Sequence, residues 1–591
     1  MKTFFLSLAG SLAAMLIFCF LFFGFIFVLI AAAAGSAAPK TPDNIVLSLD
    51  LNMPLPDQSP TSGFAAFAAQ PGFIDIITTL KAAERDDDVK GLYIRGATMG
   101  FGSARAEELR QAIESFKSSG RFVLAHTQGT YGISGPSAIT SLTAADEIWM
   151  QDGTDLFASG VTFETQFMKG LFDLTDAKSE IYPFFEYKNA PNSYNEASYT
   201  EPHREAMTTL AESIWATSLE TLSKDRNIPL QTLRAALESG PKTAQQAVEL
   251  GIVHRTGWPE DAERAALERG GENAEFVNVA MYVHPSLPVR APQIAVIGGE
   301  GAVVTGGSAS GNPFAASQNF ASDVIARAIL DAGEDDKIKA IVFRVDSPGG
   351  SPTASDQIWN AVKTVSDNGK PVIVSMGTYA ASGGYYVSAA ADYIMANQAT
   401  LTGSIGIYGG KIAIEGAFNK IGVTFDTVSV GGEFADAYGA DAFTESQEAE
   451  VKAWLKRGYD RFLHVVGEGR DMTYDEVHAI ARGRVWSGRD AIDQGIVDEI
   501  GTFMDAVEKA KELSGVEADT DVRLVYFPQR KTGFEALEGM IGVSAETAQA
   551  INTLNMIAGD ERTQILLEEL SMIEGVNNGQ TVAMGPRIKE R

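Results

Sequence analysis

At 591 residues the chain exceeds what one ordinary hydrophobic core holds, so length alone implies several domains. Hydrophobic residues at 45% and charged residues at 21% are the proportions of a folded protein and exclude a disordered or collagen-like chain. A formal net charge of -29 repels phosphate backbones, so nucleic acid is not an expected partner.

The chain opens on an apolar run. No charge occurs from Thr3 to Pro39, and Phe4 to Ala34 is almost continuously apolar. A spanning helix needs about 20 such residues, whereas a cleavable signal peptide carries an apolar core of only about 7–15. Residues 1–40 are therefore expected to form a retained transmembrane anchor, the competing reading being cleavage among the small residues Ala31 to Ala38. Lys2 and the free amino terminus favour a cytoplasmic N-terminus, which puts everything after Lys40 outside the cytoplasm. No second comparable run occurs, so a single pass is expected. The one cysteine, Cys19, sits in this run between Phe18 and Phe20 and reads as one more apolar side chain. The chain after the anchor thus offers no disulfide, no Cys-ligated zinc and no thiol nucleophile.

Beyond the anchor the sequence is duplicated. Val89–Arg95 reads as a buried strand, and Ile338–Arg344 repeats it, with paired aspartates shortly before each. Arg121–His126 parallels Pro371–Ser375. Thr130-Tyr131 precedes Ser134-Gly135 as Thr378-Tyr379 precedes Ser382-Gly383. Ala145–Trp149 matches Ala391–Met395, and Ala247–Val253 matches Ala491–Val497. Each copy alternates β-branched runs with helical patterns, the signature of βαβ units around a mostly parallel sheet. The expected division is residues 41–284 for the first copy, a proline-rich linker at 285–292, residues 293–530 for the second copy, and a helical extension at 531–591.

The second copy carries the features suited to chemistry. Arg344-Val-Asp-Ser-Pro-Gly-Gly350 ends a strand, and its paired glycines let backbone N–H groups approach a reacting oxygen; a plain strand-to-helix turn is the alternative. Ala380-Ala-Ser-Gly-Gly-Tyr385 comes after a strand and opens a helical stretch, where backbone donors stabilise developing negative charge; an N-cap serine is the commoner fate of such a residue. Thr400-Leu-Thr-Gly-Ser-Ile-Gly406 is a small-residue turn able to bring Ser404 to the same point.

A serine nucleophile needs a base. None of the six histidines lies in these glycine-rich segments, so nothing points to a Ser-His-Asp triad, although sequence does not exclude one. Lysine serves if burial lowers its pKa from about 10.4. Phe185-Glu-Tyr-Lys-Asn-Ala190 in the first copy aligns with Gly432-Glu-Phe-Ala-Asp-Ala437 in the second, so Lys188 stands opposite Ala435. Conversely, Asp346-Ser-Pro-Gly-Gly350 corresponds to Ala97-Thr-Met-Gly-Phe101. Each copy has kept half of a site. A lone lysine is usually a solvated surface residue, and this complementary loss is what singles out Lys188.

At these residues the sequence resembles the long form of the signal peptide peptidase A (protease IV) family, over nearly the whole chain. The resemblance implies two tandem Clp-protease/crotonase-like α/β domains, with Ser382 as nucleophile, Lys188 as general base, Ser404 holding the lysine, and the N–H groups of Gly350 and Gly383 as oxyanion hole. It further implies no cofactor or metal, signal-peptide and other apolar peptide substrates, a homotetramer, and a bacterial inner-membrane location with the catalytic domains on the periplasmic side. One departure is Tyr187-Lys-Asn-Ala-Pro-Asn192, where many relatives have Tyr-Lys-Ser-Ala followed by an acidic stretch. Two rival readings remain at this point: a crotonase-type acyl-CoA enzyme, whose glycine N–H groups hold a thioester enolate, and a non-enzymatic membrane scaffold.

Overall fold

The computed structural model describes residues 42–53, 55–59, 71–131, 135–285, 287–307, 320–528 and 583–584. The expected anchor at 1–40 lies outside these residues, as does the 531–591 extension apart from Ala583–Met584. Among the described residues no helix is long and apolar enough to cross a membrane.

Two parallel sheets carry the fold, and they share one strand order. In the first, the order is Arg255–Thr256, Glu147–Met150, Phe122–Thr127, Val89–Arg95, Ile45–Asp50, Glu275–Asn278, all parallel. In the second, Glu499–Ile500, Tyr393–Ala396, Val372–Ala381, Ile338–Ser347, Gln293–Glu300 and Arg523–Phe527 repeat that order, again all parallel. Helices cover both faces, which is why the central strands read as near-continuous hydrophobic runs; Ile338–Ser347 is buried at all but one position. The repeat extends to the helices. Glu201–Arg226 and Glu445–Arg470 each have 26 residues, a threonine N-cap and a left-handed C-cap residue.

The second sheet has an addition that builds the site. Val372–Ala381 is ten residues long, against six for its counterpart Phe122–Thr127. Its extra length pairs with Leu401–Gly403, which in turn pairs antiparallel with Val485–Ser487.

The copies are interlocked at several places, two of which position the site. Lys178–Pro183 of the first copy pairs antiparallel with Tyr408–Ala413 of the second, from Tyr408 opposite Pro183 to Ala413 opposite Lys178. At the second place Arg344, at 0% exposure, holds Asp57 at 2.8 Å and Glu108 at 2.7 Å, both themselves buried. Beside it Arg105 reaches Asp346 at 2.9 Å, and the other Asp346 oxygen accepts the Tyr379 N–H at 2.9 Å. The Asp-Ser-Pro-Gly-Gly turn is thus fixed from the first copy as well as from its own sheet.

Candidate active site

Ser382 stands between the strand Val372–Ala381 and the short helix Gly383–Ser388, with φ 55 and ψ -113. This is an unfavourable backbone conformation for a residue with a side chain, costing on the order of 1–3 kcal/mol, and it persists only where the surroundings impose it. They do so by hydrogen bonds: the Ser382 N–H donates to Gly403 O at 2.8 Å and Ser382 O accepts the Tyr386 N–H at 2.8 Å. The Tyr385 hydroxyl, donating to Ile496 O at 3.0 Å, pins the helix from its other side.

Lys188 arrives from the first copy because Lys178–Pro183 is stitched to Tyr408–Ala413. The chain continues through Phe184, whose N–H donates to Ile407 O at 2.9 Å, and Tyr187, whose N–H donates to Arg482 O at 3.2 Å. Its Nζ then lies 2.7 Å from Ser382 Oγ, 2.9 Å from Ser404 O and 3.0 Å from Ser404 Oγ. Lys188 is 1% exposed, and Ser382 and Ser404 are fully buried. None of these three oxygen partners carries a charge, and burial alone pushes the Lys188 amine well below the ordinary lysine value. Ser404 also has positive φ, at 48, and is fixed by its N–H donating to Arg484 O at 2.7 Å.

Gly350 and Gly383 meet beside the serine. A Cβ added to Gly383 would lie 2.9 Å from Gly350 N and 3.2 Å from Gly349 Cα, so any larger residue would drive the two backbones apart. The hydrogen bonds of Ser382 Oγ run to Lys188 and, at 3.5 Å, to Gly406 O; no histidine takes part. The five residues singled out in the sequence therefore cluster at one buried place, drawn from both copies.

One contributor has no clear sequence signal. Arg482-Gly483-Arg484 lies between the lysine-bearing turn and the Ser404 turn. Gly483 has φ 86, and a Cβ there would fall 2.4 Å from Lys188 N and 2.5 Å from Lys188 Cα. Arg482 pairs with Glu186. Arg484 grips both Glu205 oxygens at 2.7 Å while lying over the Tyr187 and Trp486 rings. In the sequence Gly483 comes after a helical stretch and reads as a C-cap; only the fold reveals that it clears space for Lys188.

The chemistry of this cluster is that of a buried hydroxyl beside an amine whose pKa burial holds well below the ordinary lysine value, with backbone donors close by. The sequence matches peptidase family S49 over residues 117–271 and 364–517 and the Clp protease family over residues 314–403. It is 32% identical over 478 residues to Protease 4 of Haemophilus influenzae, covering 76% of this chain and 74% of that protein. It is 30% identical over 502 residues to Protease 4 of Salmonella typhi, covering 81% and 78%. A protein of Enterococcus faecium named putative signal peptide peptidase SppA is 33% identical over 202 residues, 34% of this chain and 58% of that one. With these matches the acyl-CoA and scaffold readings fall away. Two S49 domains in one mixed α/β chain, and relatives alike over most of their length, make this protein a serine protease of peptidase family S49.

Proposed function

We propose that the chain is a membrane-bound endopeptidase that degrades signal peptides remaining in the membrane, working through a Ser382–Lys188 dyad split across its two copies. The observation that carries the dyad is the 2.7 Å approach of Lys188 Nζ to Ser382 Oγ inside a buried site. A neutral amine has two N–H donors and one lone pair. Ser404 O and Ser404 Oγ take the donors, which leaves the lone pair facing the Ser382 hydroxyl.

In the proposed reaction Ser382 Oγ attacks the peptide carbonyl carbon as its proton passes to Lys188 Nζ. The resulting oxyanion is held by the N–H groups of Gly350 and Gly383, each such donor being worth about 2.7–4 kcal/mol. Collapse breaks the C–N bond, and the ammonium of Lys188 returns the proton to the leaving amine. Water, deprotonated by the same amine, then cleaves the acyl-enzyme ester and frees Ser382.

The substrate class rests on the relative named signal peptide peptidase SppA. The rest of the assignment is expectation: a single N-terminal anchor at 1–40 from the apolar run, and, from the family resemblance, an inner-membrane location with both copies on the periplasmic side and assembly as a homotetramer. Cleavage just outside the bilayer is expected of a dyad that lies in the folded copies after the anchor.

The test is covalent labelling by a fluorophosphonate together with hydrolysis of a fluorogenic signal-peptide-like substrate. Wild type should label and turn over, while Ser382→Ala and Lys188→Ala should fold but do neither at a measurable rate. Full turnover by Ser382→Ala would overturn the dyad.

A further inference from the structure

The repeat that separates Lys188 from Ser382 separates a second pair as well. In the alignment that sets Asp346-Ser-Pro-Gly-Gly350 against Ala97-Thr-Met-Gly-Phe101, the helices that follow fall on one another, Ser103–Ser118 on Pro352–Asp367, both of 16 residues. Arg105 of the first copy then stands opposite Ala354, and Asp346 of the second stands opposite Ala97. The first copy has the cation without the carboxylate, and the second has the carboxylate without the cation. In the folded chain they meet. Arg105 Nη2 donates to Asp346 Oδ2 at 2.9 Å, while Nη1 donates to Leu55 O at 2.8 Å.

Asp346 lies where two strands part. Ile338–Ser347 leads to the paired glycines and Val372–Ala381 leads to Ser382. They run in register from Ile341 opposite Val372 to Val345 opposite Met376, and resume only at Ser347 opposite Ala380. Gly377, Thr378 and Tyr379 therefore bulge against the single residue Asp346, a distortion that interrupts the ladder and re-aims the chain. The Asp346 side chain takes the place of the interrupted ladder: Oδ1 accepts the Tyr379 N–H at 2.9 Å, three residues before the nucleophile. A Cβ on Gly377 would lie 2.9 Å from Asp346 Cβ and Cγ, so room for the carboxylate is built into the bulge. On the other side of Asp346, Ser347 Oγ accepts the Gly349 N–H at 3.1 Å, and a Cβ on Gly384 would lie 2.6 Å from Ser347 O. One carboxylate thus ties the glycine turn to the strand that carries the serine. Burial pushes this carboxylate toward its protonated form and Asp57 adds to the push; Arg105 is the strongest influence opposing them.

We propose that Arg105 is a positioning residue for catalysis: supplied across the copy boundary like Lys188, it holds the Asp346 carboxylate on the Tyr379 N–H and so keeps the N–H groups of Gly350 and Gly383 aimed at the carbonyl oxygen of the substrate. Arg105 acts through Asp346 and does not itself reach Ser382. Guanidinium suits the role because two of its nitrogens, fixed in one plane, hold Leu55 O and Asp346 together, which the point charge of a lysine ammonium does not reproduce. The contact of Arg105 with Glu300, at 3.4 Å, is the longer of its two ion pairs. The inference rests on the peptidase reading with Ser382 as nucleophile.

The test is hydrolysis of the fluorogenic signal-peptide-like substrate by full-length Arg105→Met, Arg105→Lys, Asp346→Asn and the double variant Arg105→Met with Asp346→Asn, each assayed under conditions where urea unfolding shows it folded. Arg105→Met should lower kcat about 10- to 100-fold with KM little changed, because misaimed oxyanion donors lose that much. Fluorophosphonate labelling of Ser382 should slow with it. Arg105→Lys keeps the buried charge and serves where the methionine variant does not fold; its kcat should lie below that of wild type at unchanged KM, and above that of Arg105→Met. The double variant should turn over as fast as Asp346→Asn alone, since Arg105 has no other route to the site. Wild-type kcat in either single Arg105 variant overturns the inference. So do losses that multiply in the double variant, or a raised KM at unchanged kcat. A wild type that neither labels nor turns over sinks the peptidase reading and this inference together, whereas an active wild type matched by its Arg105 variants sinks the inference alone.

Discussion

Replacing Lys188 by methionine keeps an unbranched side chain of similar length and removes the amine. In the wild type, burial holds the Lys188 pKa well below the ordinary lysine value. Between that folded value and the unfolded value of about 10.4, the unfolded chain binds one more proton than the folded chain, so stability rises with pH. The slope is about 1.4 kcal/mol per pH unit. Below the window both states are protonated and the penalty is constant and full; above it neither is protonated and the penalty is gone. Lys188→Met has no such dependence, and other titrating groups cancel in the difference between the two proteins. Wild type minus variant should therefore climb with that slope through the window and level off at its alkaline end. There the variant should be the less stable, having lost three hydrogen-bonded contacts of Nζ worth about 1 kcal/mol each. Urea unfolding of both full-length proteins, monitored by tryptophan fluorescence in steps of pH, reads the difference as midpoints at constant m. Parallel stability curves would mean that the folded protein does not hold a neutral lysine, and the case for Lys188 as general base would go with them.

The other expectations concern the neighbours of the dyad. Ser404→Ala should lower kcat about 10- to 100-fold with KM little changed, because misplacing a base by a fraction of an ångström is enough for such losses. Ser404 Oγ accepts from the amine and so favours its charged form. Its loss should move the rising limb of the pH–rate profile to lower pH; an unchanged kcat would show that Ser404 does not hold the lysine. Arg344→Met leaves Asp57 and Glu108 buried without their counter-charge and should destabilise the protein by about 3–5 kcal/mol. A urea midpoint equal to that of wild type would show that these carboxylates are relieved in another way.

The duplication, the parallel α/β character and the complementary loss of lysine and paired glycines were all legible in the sequence. Each is a local property: strand runs, turn residues and their spacing survive in the order of the chain, and two copies can be laid side by side without any structure. Even the candidate base, Lys188, could be singled out, because one copy had kept what the other had lost. The strand order shared by the two sheets was not legible, since periodicity tells that a segment is a strand but not which strand lies beside it. Nor was the role of Gly483, whose neighbour Lys188 is far away in the chain.

What the sequence by itself determined is the set of groups available for chemistry: a serine at the mouth of a glycine-rich turn, a lysine without a counterpart, and no thiol after residue 40. Tertiary structure decided whether they meet. Pairing Lys178–Pro183 with Tyr408–Ala413 carries Lys188 across from one copy to the other, and the strained backbone of Ser382 turns its hydroxyl toward it. It also decided the chemical state of the lysine. An amine in water is a cation at neutral pH; the same amine among uncharged partners, 1% exposed, has its pKa held well below the ordinary lysine value because burial penalises the charged form. No residue order encodes that dryness. It exists only where two copies of a fold close on one another.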